Sequence, residues 1–227
     1  MAANTATPAE PRRRPKQSRS RALVKAIREA GCAILEEEGA AALTTNRIAE
    51  RAGVGIASVY RYYPNKQAIL ADVFDEKVNV IDAYYRQLIK ERKLGSFPLR
   101  DEIRHLIETP VQLSLQLIHL HRDFYRHHYS DFEISYRTAP DGAQNWVEWG
   151  ENWWQSVLER RRDELRVSEP KLGARIMLMA VRGAIDAAID REPALLEKRE
   201  FVEGLVDLAC RYLLHDGSPS ITGRGDN

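Results

Sequence analysis

"TTNRIAERAGVGIASVYRYYPNKQAIL", Thr44–Leu70, is the stretch on which the fold turns. It opens as an amphipathic helix, with Ile48, Ala49 and Ala52 on one face and Thr44 placed to cap its start. Gly53-Val54-Gly55 interrupts that pattern. A second helix of about two turns follows over 56–62 and stops before Pro64. Two short helices joined by a glycine corner make a helix-turn-helix. Gly53 supplies the left-handed residue that ends the first helix, and Val54 folds back onto the small core.

The second helix is short because its task is to lie in a groove. In such motifs it enters the DNA major groove with its N-terminal residues at the base edges. Ile56, Ala57 and Ser58 are compact enough for that approach. A tyrosine hydroxyl is long, stiff and able to donate a hydrogen bond, so Tyr60 and Tyr62 can reach phosphate oxygens, with Arg61 beside them. Lys66 opens the next helix at an N-terminus, which itself favours a phosphate. Val59 and Tyr63 face inward on this reading. The plainer alternative is that the tyrosines roof a hydrophobic core.

The runs Ile48-Ala49-Glu50-Arg51-Ala52-Gly53-Val54 and Val59-Tyr60-Arg61-Tyr62-Tyr63-Pro64-Asn65-Lys66-Gln67-Ala68-Ile69-Leu70 resemble the N-terminal domain of TetR-family transcriptional regulators. The resemblance covers residues 18–70; beyond them it extends only to a helical style. It implies DNA contacts at Thr45, Asn46, Ile56, Ala57, Ser58, Tyr60, Arg61, Tyr62 and Lys66. One departure stands at Gly55, where family members often cap the recognition helix with Ser or Thr. Glycine still caps, but a phosphate-binding hydroxyl is lost. Ile56 and Ala57 offer bases only apolar contact, as to a thymine methyl.

Working outward, Leu23, Ala26, Ile27, Ala30 and Ile34 recur at helical spacing from Ser18, and Gly39 supplies the stop. Asn65 can cap a helix running to about Lys93, broken by Leu94-Gly95-Ser96-Phe97-Pro98. Further helices are expected over 99–110, 111–128, 141–165, 170–190 and 197–214, with turns at Pro110, Pro140-Asp141-Gly142, Pro170 and Pro193. No segment alternates with a period of two, so the fold class is all-α. The expected division is a disordered arm over 1–17, a DNA-binding domain over 18–70, a ligand-binding and dimerisation domain over 71–215, and a disordered tail over 216–227.

The chain has 227 residues, 44% of them hydrophobic, and a net charge of +1. The charge is uneven: residues 1–28 hold eight arginines and lysines against the single acid Glu10. Such an arm either contacts a polyanion, from Arg12 to Arg21, or is a solubilising tail. No apolar run reaches the roughly 18 residues of a membrane span, and no secretory signal is visible. Cys32 and Cys210, each in a helical apolar pattern, read as buried thiols of a reducing cytoplasm.

A single helix-turn-helix reads few base pairs, so a homodimer is expected. Leu172, Ile176, Ala180, Gly183, Ala184 and Ala187 form one stripe, and Phe201, Leu205, Leu208 and Ala209 another. The resemblance implies a four-helix interface built from them; the alternative is that both stripes serve the intrachain core. Trp146, Trp149 and Trp153 fall at i, i+3 and i+7, with Trp154 adjacent. That stripe is either plain core or the wall of an apolar ligand pocket, in company with Tyr84, Tyr85, Phe124 and Tyr125.

"HLHRDFYRHH" (His119–His128) raises a metal or enzyme reading, but it lacks the i, i+4 histidine pair and base of a helical zinc site. No phosphate loop or nucleophile elbow appears. The expectation is therefore a non-enzymatic, cofactor-free homodimeric regulator. The resemblance implies a repressor, expected to be released from a palindromic, double-stranded DNA operator by a small apolar or aromatic effector. The alternatives are an effector-independent DNA-binding protein, or a helical enzyme or metal-binding protein using residues 119–128.

Overall fold

The computed structural model describes residues 18–91, 95–132 and 143–215. The basic arm, the 216–227 tail and the Pro140-Asp141-Gly142 turn lie outside them. Eight α-helices occur among the described residues: α1 (Ser18–Glu37), α2 (Thr45–Arg51), α3 (Ile56–Tyr62), α4 (Lys66–Lys90), α5 (Leu99–His128), α6 (Trp146–Arg160), α7 (Pro170–Arg191) and α8 (Arg199–Leu213). The fold is all-helical; the one extended pairing among these residues is an isolated bridge between Leu165 and Leu214. No helix among them is long and apolar enough to cross a membrane.

Two expected boundaries move. Pro110 lies inside α5 and does not end it. Its neighbours Ile107 and Val111 are both buried, and that packing offsets the hydrogen bond a proline cannot make. The helical course breaks instead at His121 (φ −162°, ψ 88°). There the Phe124 N–H donates to His121 Nδ1 at 3.4 Å and restarts the helix. α6 is shorter than the expected 141–165. Asn145 caps it by accepting from the Glu148 N–H at 3.0 Å, and a separate turn of 3-10 helix, Arg162–Glu164, follows its end.

The described residues form two compact units, one of 18–80 and 116–132, the other of 81–91, 95–115 and 143–215. In the first, Ile27 and Ile34 of α1, Ile48 of α2, Val59 of α3 and Ile69 and Val73 of α4 are fully buried or nearly so. A Cβ at Gly31 would stand 3.3 Å from Ile69 Cγ2, so the glycine sets the close approach of α1 to α4. This unit takes in residues that the division at 70 gave to the larger domain. The reason is Phe74, whose ring meets Phe124 edge-on at 5.1 Å and Phe132 at 5.3 Å.

The second unit packs α6 on α7 and α7 on α8. Its core includes Leu99, Ile103 and Ile107 of α5, Val157 and Leu158 of α6, Met177, Val181 and Ile185 of α7, and Val206 and Leu213 of α8. Arg104 grips Glu203 with two hydrogen bonds of 2.8 Å and ties α5 to α8. Glu102 is a buried carboxylate that accepts the N–H groups of Gly95 (2.7 Å) and Phe97 (3.1 Å), fixing the chain that leads into α5. Cys210 is buried and Cys32 half-buried, and burial pushes both thiols above their ordinary pKa.

Candidate nucleic-acid interface

The helix-turn-helix is built by local rules. Thr44 caps α2, its hydroxyl accepting from the Arg47 N–H at 3.1 Å. Gly53 ends it at φ +66°, in the left-handed region that disfavours side chains. The Val54 N–H then reaches back to the Ala49 carbonyl (3.0 Å) and the Gly53 N–H to that of Glu50 (3.1 Å), a Schellman closure. Thr44→Ala is expected to lower the stability of the first unit by about 1 kcal/mol. Chemical denaturation measures this, and an unchanged midpoint would show that the cap contributes nothing.

α3 leaves the corner with Gly55 as a bare cap. Val59 and Tyr63 are fully buried. Tyr63 is anchored further: its hydroxyl donates to Asp72 on α4, and both burial and that bond hold the phenol well above its ordinary pKa. Arg28 of α1 faces Asp72 (3.7 Å) and Glu76 (3.3 Å), so α1, α3 and α4 meet at this network. Asn65 caps α4 by accepting from the Ala68 N–H at 2.9 Å, which places Lys66 in the exposed first turn.

Eight of the nine candidate contact residues reach the surface. Asn46, Ile56, Ala57, Tyr60, Arg61 and Lys66 are exposed, and Thr45 and Ser58 half-buried. Tyr62 is the exception at 9% exposure, because it packs beside Val59 on the inner face of α3. Tyr60 stands 46% exposed, with its hydroxyl 3.1 Å from that of Thr45. That pairing joins the outer faces of α2 and α3 and presents two hydroxyls together. Arg47 and Arg51, also on α2, are occupied: Arg47 binds Glu38 and Glu50, and Arg51 binds Glu37 and Glu38.

Residues 27–73 match the family model of bacterial regulatory proteins, tetR family. The N-terminal domain is a TetR-family domain. Solved structures share the fold over most of the chain. A TetR-family transcriptional regulator of Mesorhizobium loti is 14% identical, with a TM-score of 0.54, over 88% of this chain and 100% of its own. NalD, the secondary repressor of the MexAB-OprM multidrug efflux pump in Pseudomonas aeruginosa, is 22% identical, with a TM-score of 0.52, over 88% and 100%. A TetR transcription regulator of Haloarcula marismortui is 23% identical, with a TM-score of 0.50, over 85% and 98%. At these identities the likeness is one of fold. No curated protein matches the chain in sequence.

Outside the matched segment, the candidate pocket residues fall into two sets. Phe124 and Tyr125 belong to the first unit, buried against Phe74. Tyr85, Trp146, Trp149 and Trp153 belong to the second, as a run of touching rings. Their centroids lie 5.8, 5.3 and 5.9 Å apart in that order, the last pair stacked within 14°. Trp146 Nε1 donates to Asp82 at 2.8 Å, and Arg86 pairs with the same carboxylate at 2.7 Å. A more charged groove of about 600 Å³ lies in this unit between Arg104, Glu108 and Gln112 of α5 and Lys198, Arg199 and Glu203 near the start of α8.

The small-residue stripe of α7 faces outward. Leu172, Ile176, Ala180, Gly183 and Ala187 are exposed and Ala184 half-buried. Met179, at 67%, extends that stripe, and its i+3 spacing from Ile176 was legible although the residue was passed over. On α8 the stripe divides, with Leu208 exposed, Phe201 half-buried and Leu205 and Ala209 buried within the chain. Leu205 and Ala209 lie on the side of α8 that carries Val206, Cys210 and Leu213 inward.

Within 119–128, His121, His127 and His128 make local contacts that hold the chain around them. His127 Nδ1 donates to the Asp123 carbonyl (2.6 Å), His128 Nδ1 lies 3.3 Å from Asp131, and His121 receives the Phe124 N–H. Among the described residues no group of three or more histidines, cysteines or carboxylates could hold a metal ion.

Proposed function

We propose that this chain is a homodimeric transcription repressor that holds a palindromic operator and is released by a small, apolar or aromatic ligand, acting as a binding protein rather than an enzyme. The observation that carries the reading is the helix-turn-helix itself. The Gly53 corner fixes α3 against α2, while Ile56, Ala57, Tyr60 and Arg61 stay outside the core. Bases are read by Ile56, Ala57 and Ser58. Phosphates are held by Thr45, Asn46, Tyr60, Arg61 and Lys66, with Tyr62 limited to whatever its small exposed margin can reach. The outward stripe of α7, with Leu208 and Phe201 of α8, supports pairing with a second copy. The aromatic run of the second unit supports the ligand.

Release follows from a population shift. α4 runs unbroken from Lys66 in the first unit to Lys90 in the second, so a ligand that favours a different course for it biases the DNA-binding residues. Moving the operator-competent state from nearly full to nearly empty requires about 5.5 kcal/mol of differential affinity.

Selection of bound duplexes from a random DNA pool tests the function directly. Enrichment of an inverted repeat, with half-sites about one helical turn apart, is the expected result. Failure to enrich any sequence at several salt concentrations would sink the proposal. On the selected duplex, Lys66→Ala is expected to weaken binding about equally for all sequences and to reduce the salt slope by about one per protomer. An unchanged slope would remove Lys66 from the contacts.

A further inference from the structure

The aromatic cluster of the second unit contains a polar atom that its surroundings leave unsatisfied. His105 of α5 lies against Tyr84 and Tyr85 of α4, with ring centroids 6.1 and 5.9 Å away, and its Nε2 is buried without a hydrogen-bond partner. Native proteins seldom leave a buried polar atom in that state, and each such atom calls for an explanation. The neighbouring polar groups are already engaged. Trp146 Nε1 and Arg86 share Asp82, and the Thr109 hydroxyl donates to the His105 carbonyl at 3.0 Å.

Burial lowers the His105 pKa, against a smaller opposing pull from Glu108, so the imidazole is neutral near pH 7. A neutral imidazole nitrogen offers one lone pair or one N–H. Tyr84 is exposed, whereas Trp146 is buried, so Tyr84 is the ring free to swing aside.

We infer that His105 Nε2 is the polar anchor of an aromatic binding site: an uncharged, planar molecule enters past Tyr84, lies along the rings of Tyr85, Trp146 and Trp149, and closes one hydrogen bond to His105. This rests on the ligand-responsive reading above and adds to it the recognition residue and the class of guest. The guest is uncharged because Asp82 and Arg86 already neutralise each other, and a charge brought among these rings would lose its hydration without a partner. It is planar because the walls are ring faces and edges. A lone histidine on an apolar helix face carries no spacing signal, so the sequence alone gives His105 no role as a ligand anchor.

The test is calorimetric titration of the full chain with three probes at pH 7.5: 1-naphthol, naphthalene and 1-naphthoate. All four tryptophans lie within Trp146–Trp154, so quenching of intrinsic fluorescence reports binding at this cluster. Native protein is expected to bind 1-naphthol about tenfold more tightly than naphthalene, a difference of about 1.4 kcal/mol. His105→Leu is expected to abolish that preference and leave the naphthalene affinity unchanged.

His105→Gln keeps an amide near the Nε2 position and is expected to retain the preference. His105→Asn, whose amide lies nearer the Nδ1 position, is expected to lose it. The Gln and Asn contrast carries the test even where the leucine variant does not fold. Equal affinity for 1-naphthol and naphthalene would overturn the anchor while leaving the pocket standing. Tightest binding by 1-naphthoate would overturn the uncharged guest. If no probe bound or quenched the tryptophans, the pocket would fall, and the anchor with it.

Discussion

Met179→Glu is expected to leave the chain folded and to cost it the proposed dimer. Met179 is 67% exposed on α7, and surface substitutions of that kind usually change stability by less than about 0.5 kcal/mol. In the proposed pair the same side chain is covered by a second copy. A two-fold interface repeats every change, so two carboxylates would be buried together. Leaving a charge buried without a partner costs about 3–5 kcal/mol, or two to three orders of magnitude in the dimer dissociation constant.

Sedimentation should find monomers at concentrations where the native chain is paired. Affinity for the selected inverted repeat should fall steeply, with half-site binding retained. An unaltered dimer would place the interface elsewhere. A melted chain would mean that this face of α7 belongs to the intrachain core.

The second large effect concerns Phe74. Its ring is fully buried and meets those of Phe124, Tyr125 and Phe132, which holds the end of α5 in the first unit. Phe74→Ala removes that hub and leaves a cavity, at an expected cost of about 3–5 kcal/mol. Stabilities of single domains run from about 5 to 15 kcal/mol, so the loss takes a large part of the whole. Denaturant unfolding followed by far-ultraviolet dichroism would measure it. Phe74→Leu should recover much of the difference, because it fills much of the space. A loss below about 1 kcal/mol for the alanine variant would show that the surrounding rings collapse freely into the gap.

Much of the first unit was legible because its rules are local. The Thr44 cap, the Gly53 turn and the Asn65 cap each depend on residues within five positions of one another. The places where the reading missed depend on tertiary contacts. A proline normally ends a helix, yet Pro110 does not, because Ile107 and Val111 are held in the core on either side. Nothing in the identity of His121 announces a break, since histidine is an unusual cap.

Tyr62 and Tyr63 are chemically alike, and only the inward face shared with Val59 decides that both are buried. The α7 stripe was readable as apolar, but whether it faced its own chain depended on how α6 and α8 pack against it. His105 illustrates the same limit, because an unsatisfied atom exists only once its neighbours are in place.

The carboxylates around Arg47 and Arg51 bear on how the protein would live through osmotic stress. Each phosphate contact made by a free cation adds about 0.9 to the exponent with which binding falls as salt rises. Glu37, Glu38 and Glu50 take both arginines of α2 out of that count. In the proposed dimer, four such arginines meeting phosphates would release four more counterions, so their pairing makes a doubling of salt loosen the proposed complex roughly tenfold less. Release of the proposed repressor would then track its ligand and stay comparatively deaf to the ionic weather of the cell.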